Sequence, residues 1–257
     1  MDVSKLFSVE GKVALVTGGS RGIGLMIARG YVESGARVYV ASRKAAVCED
    51  VAAELSKVGT CIALPADLAT GDGARALAAA LSEREDALHV LVNNAGANWG
   101  APIEEFPDSA WDKVLALNVK NVFRLTVELL GPLRAAARPG DPARVINIGS
   151  IDGLAPPLLE TYSYSASKAA VHHLTRHLAR RLSPEITVNA IAPGPFESKM
   201  METTLERFGD AIRDSNPLKR IGEPEDMAGI ALYLASRAGA YLTGAVIPVD
   251  GGMASLR

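Results

Sequence analysis

Short apolar runs alternate along this chain with longer stretches of helical periodicity. The runs fall at residues 12–17, 37–41, 60–65, 88–92, 143–149, 185–191 and 245–249. Most are apolar at consecutive rather than alternate positions, which predicts strands covered on both faces, as in a parallel sheet. Between them, Val47, Val51 and Leu55 recur every fourth residue, and Val171, Leu174, Leu178 and Leu182 form a similar stripe. Both patterns predict amphipathic helices. Strand, helix and strand in repetition predict an α/β fold: a doubly wound, Rossmann-type parallel sheet of seven strands, flanked by helices and joined by right-handed crossovers. No low-complexity linker divides the chain, so residues 1–257 are expected to form a single domain. Arg138-Pro139-Gly140-Asp141-Pro142 reads as a turn before a strand. Residues 111–133 stand apart, because Val114, Leu115, Leu117, Val119, Val122, Phe123, Leu125, Val127, Leu129 and Leu130 cover nearly every helical face. Such a helix is expected to be buried all round, with one side on the sheet and the other on a second subunit.

Composition narrows the class. The 257 residues suit one large α/β domain, and the 48% apolar content supports a core without disulfides or metals. A net charge of −2 without a long basic run argues against nucleic acid or a membrane surface as partner. No stretch approaches the ~20 apolar residues of a membrane span. Residues 1–11 carry Asp2, Lys5 and Glu10 and lack an apolar signal region. Cys48 and Cys61 make no framework and read as small buried hydrophobes in a reducing compartment. A cytoplasmic location is expected.

The first run leads into Thr17-Gly18-Gly19-Ser20-Arg21-Gly22-Ile23-Gly24, and a helical pattern follows. Glycines let a backbone turn sharply and approach a pyrophosphate. The helix N-terminus behind them offers free N–H groups and a positive dipole end. The spacing Gly18-x-x-x-Gly22-x-Gly24 differs from the G-x-G-x-x-G fingerprint. The strand-before, helix-after context nevertheless marks Gly18, Ser20, Arg21, Gly22, Ile23 and Gly24 as candidate cofactor-binding residues. At the end of the second run, where an NAD enzyme often carries an acidic residue for the ribose hydroxyl, stand Ser42, Arg43 and Lys44. A carboxylate there would repel a 2′-phosphate, whereas guanidinium and ammonium groups attract one. With Arg21 they predict NADP(H).

Tyr164-Ser165-Ala166-Ser167-Lys168 opens the stripe that ends at Leu182. Tyr164 and Lys168, at i and i+4, share a helix face, whereas Tyr162 has Ala166 at that spacing. A free tyrosine titrates near ~10, and a neighbouring ammonium stabilises its phenolate. Ser150 ends the fifth run, at the carboxyl edge where open α/β sheets bind ligands, and its hydroxyl is placed to polarise a carbonyl. These three residues are the predicted acid–base constellation.

Carrying these motifs in this order, the chain resembles the short-chain dehydrogenase/reductases over essentially its whole length. Asp67-Leu68 resembles the pair beside the adenine, and Asn93-Asn94-Ala95-Gly96 the segment after the fourth strand. Asn118 resembles the helix asparagine that supports a proton-relay water. Pro193-Gly194, after Ile191, resembles the turn beside the nicotinamide. Ser198 stands where many relatives carry Thr and keeps a hydroxyl for the carboxamide. The resemblance implies hydride transfer between NADPH and a carbonyl carbon. Tyr164 would protonate the oxygen, Ser150 orient it, Lys168 lower the Tyr164 pKa and bind ribose, and Asn118 reload the proton through water. It also implies a homotetramer or homodimer.

Within the family the chain is similar to the 3-oxoacyl reductases, of the type linked to rhamnolipid synthesis, which implies a 3-oxoacyl thioester substrate. Those reductases tend to carry a basic residue before the sixth strand to dock acidic carrier protein. Here Ser183-Pro184-Glu185 stands there, with Arg180 and Arg181 close by, so a coenzyme A thioester or a small ketone stays open. A polyol, steroid or xenobiotic carbonyl compound is the alternative substrate. A catalytically silent NADP-binding regulatory protein is the alternative of another class, and the complete Ser150, Tyr164 and Lys168 set argues against it.

Residues 195–217 mix Phe196, Met200, Met201, Leu205 and Phe208 with charges and read as a mobile substrate lid, suited to a greasy, adaptable ligand. The same residues equally suit the packing face of a lid helix. Pro156-Pro157-Leu158-Leu159 reads as one pocket wall. Trp99 falls at the site's rim, against substrate or over the core, and Trp111 in the core. His173 and His177 share an i, i+4 spacing, but that helix offers no acidic or Cys partner, so no metal site is predicted. His172, His173 and His177 are read as surface or interface packing.

Overall fold

Each of the seven apolar runs forms a strand of one sheet. The structure, a computed structural model, describes residues 2–256. The strands are β1 (Val13–Thr17), β2 (Arg37–Ala41), β3 (Thr60–Ala63), β4 (Val90–Asn93), β5 (Ala143–Ile148), β6 (Ile186–Pro193) and β7 (Val246–Val249). They lie in the order β3-β2-β1-β4-β5-β6-β7, and every neighbouring pair is parallel. Burial explains the unbroken apolar runs. The central strands β1, β4, β5 and β6 are buried at every position, whereas the edge strands β3 and β7 are only partly covered.

Helices cover both faces. On one lie α2 (Gly22–Glu33), α3 (Ala45–Leu55) and α10 (Pro224–Ala235). Their Ile27, Tyr31, Leu55, Met227 and Leu234 pack on Val16, Val40 and Val92 of the sheet. The Tyr31 hydroxyl donates to the Ala231 carbonyl at 3.0 Å, which ties α2 to α10. On the other face lie α4 (Gly71–Ser82), α6 (Asn121–Glu128), α7 (Leu130–Ala136) and α8 (Tyr162–Leu182), with Leu77, Leu81, Leu125, Leu133 and Leu178 against Leu15, Leu91 and Val188. Each such side chain contributes roughly 1.5–3 kcal/mol by leaving water. α1 (Val3–Leu6) and α5 (Asp108–Leu115) lie before β1 and before α6, and α9 (Glu202–Ser215) follows β6.

Two periodicity readings need correction. On α3 the buried face is Cys48, Ala52 and Leu55, and Val47 is exposed. A strict four-residue repeat drifts by about 40° per step on a 3.6-residue helix, so the stripe leaves the core within two steps. Residues 111–133 are not one helix buried all round. A π turn, Ala116–Lys120, separates α5 from α6, and α7 follows. Pro132 has no N–H for the Glu128 carbonyl, which helps end α6. Leu115, Phe123 and Val127 are exposed on this chain, while Val114, Val122, Leu125 and Leu133 are buried. Trp111 is half-buried and edge-on to Phe106, not in the core. Among the described residues, no helix is long and apolar enough to cross a membrane, no His, Cys, Asp or Glu group could hold a metal, and both cysteines are free and buried.

Candidate active site

The site occupies the carboxyl ends of β1, β4, β5 and β6, at the point where strand order reverses between β1 and β4. Directly after β1, Gly18 adopts φ +64°, a left-handed conformation open to glycine at little cost. In the first turn of α2, a Cβ on Gly24 would overlap the Gly18 carbonyl and Asn94 Nδ2. The turn is braced from below. Thr17 Oγ1 donates to the Val92 carbonyl at 3.1 Å and accepts the N–H groups of Asn94 and Ala95 at 2.9 and 3.1 Å. Asn94 Nδ2 donates to the carbonyls of Thr17 and Gly18 at 2.9 and 3.2 Å. The Asn94 side chain, expected against the cofactor, therefore holds the turn in shape. Ser20 and Ile23 are half-buried in the turn, and Gly22 faces Ser198 across a gap with almost no room for a Cβ.

Ser42 follows the end of β2, and Arg43 and Lys44 are exposed beside it, as Arg21 is on the turn. Among the described residues none of the three cations is paired with a carboxylate. A dinucleotide therefore fits: pyrophosphate at a glycine turn before the N-terminus of α2, and a 2′-phosphate at three cations without a carboxylate partner. Asp67 is exposed and caps its own turn by accepting the Ala69 N–H at 3.0 Å, while Leu68 is buried in the core beneath. Ala95 is half-buried and Gly96 exposed past β4. Pro193 ends β6, and Gly194 packs so tightly on Asp250 that a Cβ would approach within 2.7 Å.

The predicted acid–base residues converge. Tyr164 and Lys168 share the inward face of α8, with Lys168 Nζ 5.3 Å from the Tyr164 ring centroid. Nζ donates to the carbonyl of Ile148, the last residue of β5, at 2.7 Å. Ser150, two residues on, is buried, and its Oγ accepts the Asp152 N–H at 3.1 Å. The electrostatics differ from the expectation that Lys168 lowers the Tyr164 pKa. Burial pushes the Tyr164 phenol up to about 12; hydrogen bonding to Ser150 opposes that, and the Asp152 charge adds to it. Burial also pushes Lys168 down to about 8, against the pull of Asp152. One low-dielectric wall disfavours the charged form of both groups.

Asn118 lies in the π turn, a distortion frequent at functional sites, and is buried. Its Oδ1 accepts the Ala97 N–H at 2.8 Å, and its Nδ2 donates to the Ala97 carbonyl and to Ser167 Oγ, both at 2.9 Å. Ser167 Oγ in turn donates to the Tyr164 carbonyl at 2.7 Å. The Asn118 side chain thus links the loop after β4 to the turn of α8 that bears Tyr164.

Two further residues lie near the pair: Asp152, which no sequence pattern marks, and His172, whose expected place changes. Asp152 sits two positions after Ser150, and nearness in the chain is all that could have flagged it. His172 continues the i, i+4 series of Tyr164 and Lys168. It is neither at the surface nor at an interface: it is 3% exposed, and its imidazole fills the space that Cβ atoms on Gly149 and Gly153 would need. His173 and His177 are exposed.

The lid reading is corrected at its start. Phe196 is buried in the core with its ring over Gly222, whose N–H donates to the Pro195 carbonyl at 2.9 Å. At the far end the buried Asn216 donates to the Asp250 carbonyl at 2.9 Å. Between these anchors Met200 and Phe208 are exposed and Met201 and Leu205 half-buried. Pro156, Pro157 and Leu159 line a cavity of about 550 Å³ with Ile103, Phe106, Trp111, Tyr162 and Ser165. It opens on a face of α8 turned away from Tyr164, so this segment walls a groove beside the catalytic pocket. Trp99 is exposed at the rim, under the Lys113 ammonium at 5.3 Å.

Comparison with known proteins agrees with this geometry. The family model described as Enoyl-(Acyl carrier protein) reductase matches residues 18–254. A rhamnolipids biosynthesis 3-oxoacyl-[acyl-carrier-protein] reductase of Pseudomonas aeruginosa is 51% identical, over 96% of this chain and 97% of that protein. A galactitol 2-dehydrogenase (L-tagatose-forming) of Cereibacter sphaeroides is 38% identical, over 98% of each. Among solved structures, the NADP active-site complex of Pseudomonas aeruginosa RhlG superposes with a TM-score of 0.95 at 50% identity, covering 97% of this chain and 99% of that one. With a seven-stranded parallel sheet, a glycine turn after β1 and Ser150, Tyr164 and Lys168 brought together at its carboxyl edge, the chain belongs to the short-chain dehydrogenase/reductase family.

Proposed function

We propose that this chain is an NADPH-dependent carbonyl reductase acting on a 3-oxoacyl thioester. The observation that carries the reading is the meeting of Tyr164 and Lys168 on the inward face of α8 with Ser150 at the end of β5. When bound, NADPH supplies the hydride. Gly18, Gly22 and Gly24 let the turn close tightly before the N-terminus of α2, where the pyrophosphate would lie, and Arg21, Arg43 and Lys44 offer charge to its 2′-phosphate. The Tyr164 hydroxyl gives its proton to the substrate oxygen, Ser150 Oγ orients that oxygen and its hydrogen bond favours the phenolate left behind, and the Lys168 ammonium holds the ribose. The Asn118 side chain already has partners, so its part in reloading the proton falls to its main chain and a water.

The thioester assignment rests on the apolar surface offered by Met200 and Phe208 on the lid, which suits an acyl chain better than a polyol. It also rests on the 51% identity to the 3-oxoacyl reductase. The test is NADPH oxidation with a panel of 3-oxoacyl thioesters on carrier protein and coenzyme A, against polyol-derived and steroid ketones. Turnover confined to the latter would refute it. Tyr164→Phe is expected to bind NADPH normally and lose turnover by at least about a thousandfold, within the usual contribution of acid–base catalysis. Near-normal turnover of that variant would refute the assigned role.

We also assign a homo-oligomer joined through the exposed Leu115, Phe123 and Val127, and a cytoplasmic location consistent with two free, buried cysteines. A scattering mass of one chain would refute the first, and recovery outside the cytosolic fraction the second.

A further inference from the structure

The turn after Ser150 carries a carboxylate that the reaction as described does not use. The Asp152 N–H holds Ser150 Oγ at 3.1 Å, so the two residues form one unit. The next residue, Gly153, lies flat on α8. A Cβ there would come within 2.6 Å of the Lys168 carbonyl carbon, 2.7 Å of the Ala169 nitrogen and 2.8 Å of His172 Cε1. The turn is thereby clamped to the stretch of helix that bears Tyr164 and Lys168. Asp152 is half-buried, and its charge acts on both side chains in the same sense, favouring the protonated form of each. On α8 the other ionisable neighbours are His172, kept neutral by burial, and Arg176 beyond it. From the π turn, Asn118 faces this stretch and does not titrate.

We propose that Asp152 is a positioning residue that sets the working pH range of the site: carried on a turn clamped to the stretch of α8 that bears Tyr164 and Lys168, its charge keeps both in their proton-carrying forms to higher pH. The inference rests on the acid–base roles assigned above. It is independent of which carbonyl compound is reduced.

The test is Asp152→Asn, which keeps the size of the side chain and the N–H to Ser150. In reduction of a 3-oxoacyl coenzyme A thioester by NADPH, the alkaline fall of kcat/KM should move down by about one pH unit, the effect of one charge several ångströms away in a partly solvated site. Asp152→Glu should restore the wild-type limb. A uniform loss at every pH with the limb in place, or an unmoved profile at full activity, would overturn the proposal. NADPH fluorescence on binding, followed over the same pH range, needs no turnover and reports Lys168, which titrates at about 8. Its midpoint should also fall in Asp152→Asn. If no thioester is reduced and that midpoint still falls, the reaction assignment fails and the role of Asp152 stands; if the midpoint stays, the role of Asp152 fails.

Discussion

Acidifying the protein from about pH 7 to about pH 4.5 should charge His172 at the expense of the fold. The imidazole is 3% exposed and packed against the backbones of Gly149 and Gly153. Neither ring nitrogen reaches hydrogen-bond geometry, although the Gly153 backbone lies alongside and partly offsets desolvation. Burial, with the charges of Lys168 and Arg176 opposing a further cation, pushes its pKa from 6.5 down to about 4. Because the folded value lies below the unfolded one, the unfolded chain takes the proton first. The contribution to stability is complete above pH 6.5 and is lost as the pH falls toward 4. At about 1.4 kcal/mol for each unit of difference, the loss by pH 4.5 is at most about 2.5 kcal/mol. Urea unfolding of the wild type and of His172→Leu across this range isolates the effect, since every other group titrates alike in both. Leucine also removes no hydrogen bond that meets geometric criteria. The stability difference should move in favour of the variant by about 2 kcal/mol between neutral and acid pH. A difference that stays constant with pH would refute the reasoning.

Gly24→Ala should lose at least about 2 kcal/mol of stability and bind NADPH far more weakly, because the added methyl meets a backbone carbonyl that cannot step aside. Urea unfolding and a fluorescence titration check this, and wild-type values in both would contradict it. Arg43→Ala and Arg21→Ala should each lower the preference for NADPH over NADH by roughly tenfold or more, as expected for loss of a charge-assisted hydrogen bond. Binding constants for both dinucleotides measure it, and an unchanged ratio would mean that neither arginine reads the 2′-phosphate.

The sheet was legible because a strand covered on both faces must be apolar at every position. Most of the runs are of that kind, and all seven form strands, with ends shifted by one or two residues. The turn from Thr17 to Gly24 was legible because its glycines precede a helix and follow a strand. Tyr164 and Lys168 were legible because four residues bring two side chains to one helix face. Less was visible at residues 111–133. There the apolar content masked a π turn at Asn118, whose side chain bonds Ala97 and Ser167, residues distant in the chain. Phe196 and Phe208 looked alike in the chain, yet one is buried and one exposed, because Gly222, distant in sequence, makes room for the first ring.

Amino-acid order alone made legible the seven strands and most of the helices, the glycine turn after β1 and the spacing that brings Tyr164 and Lys168 to one helix face. The folded chain decided what those groups are like when they meet. It placed Asp152 and His172 around the pair, turned the Asn94 side chain from a ligand contact into a brace, and set the Tyr164 phenol near 12 and the Lys168 ammonium near 8. Desolvation and the field of a neighbouring charge depend on every segment that closes over a group. Those segments come from β5, the turn after Ser150 and α8, so no local pattern records their sum.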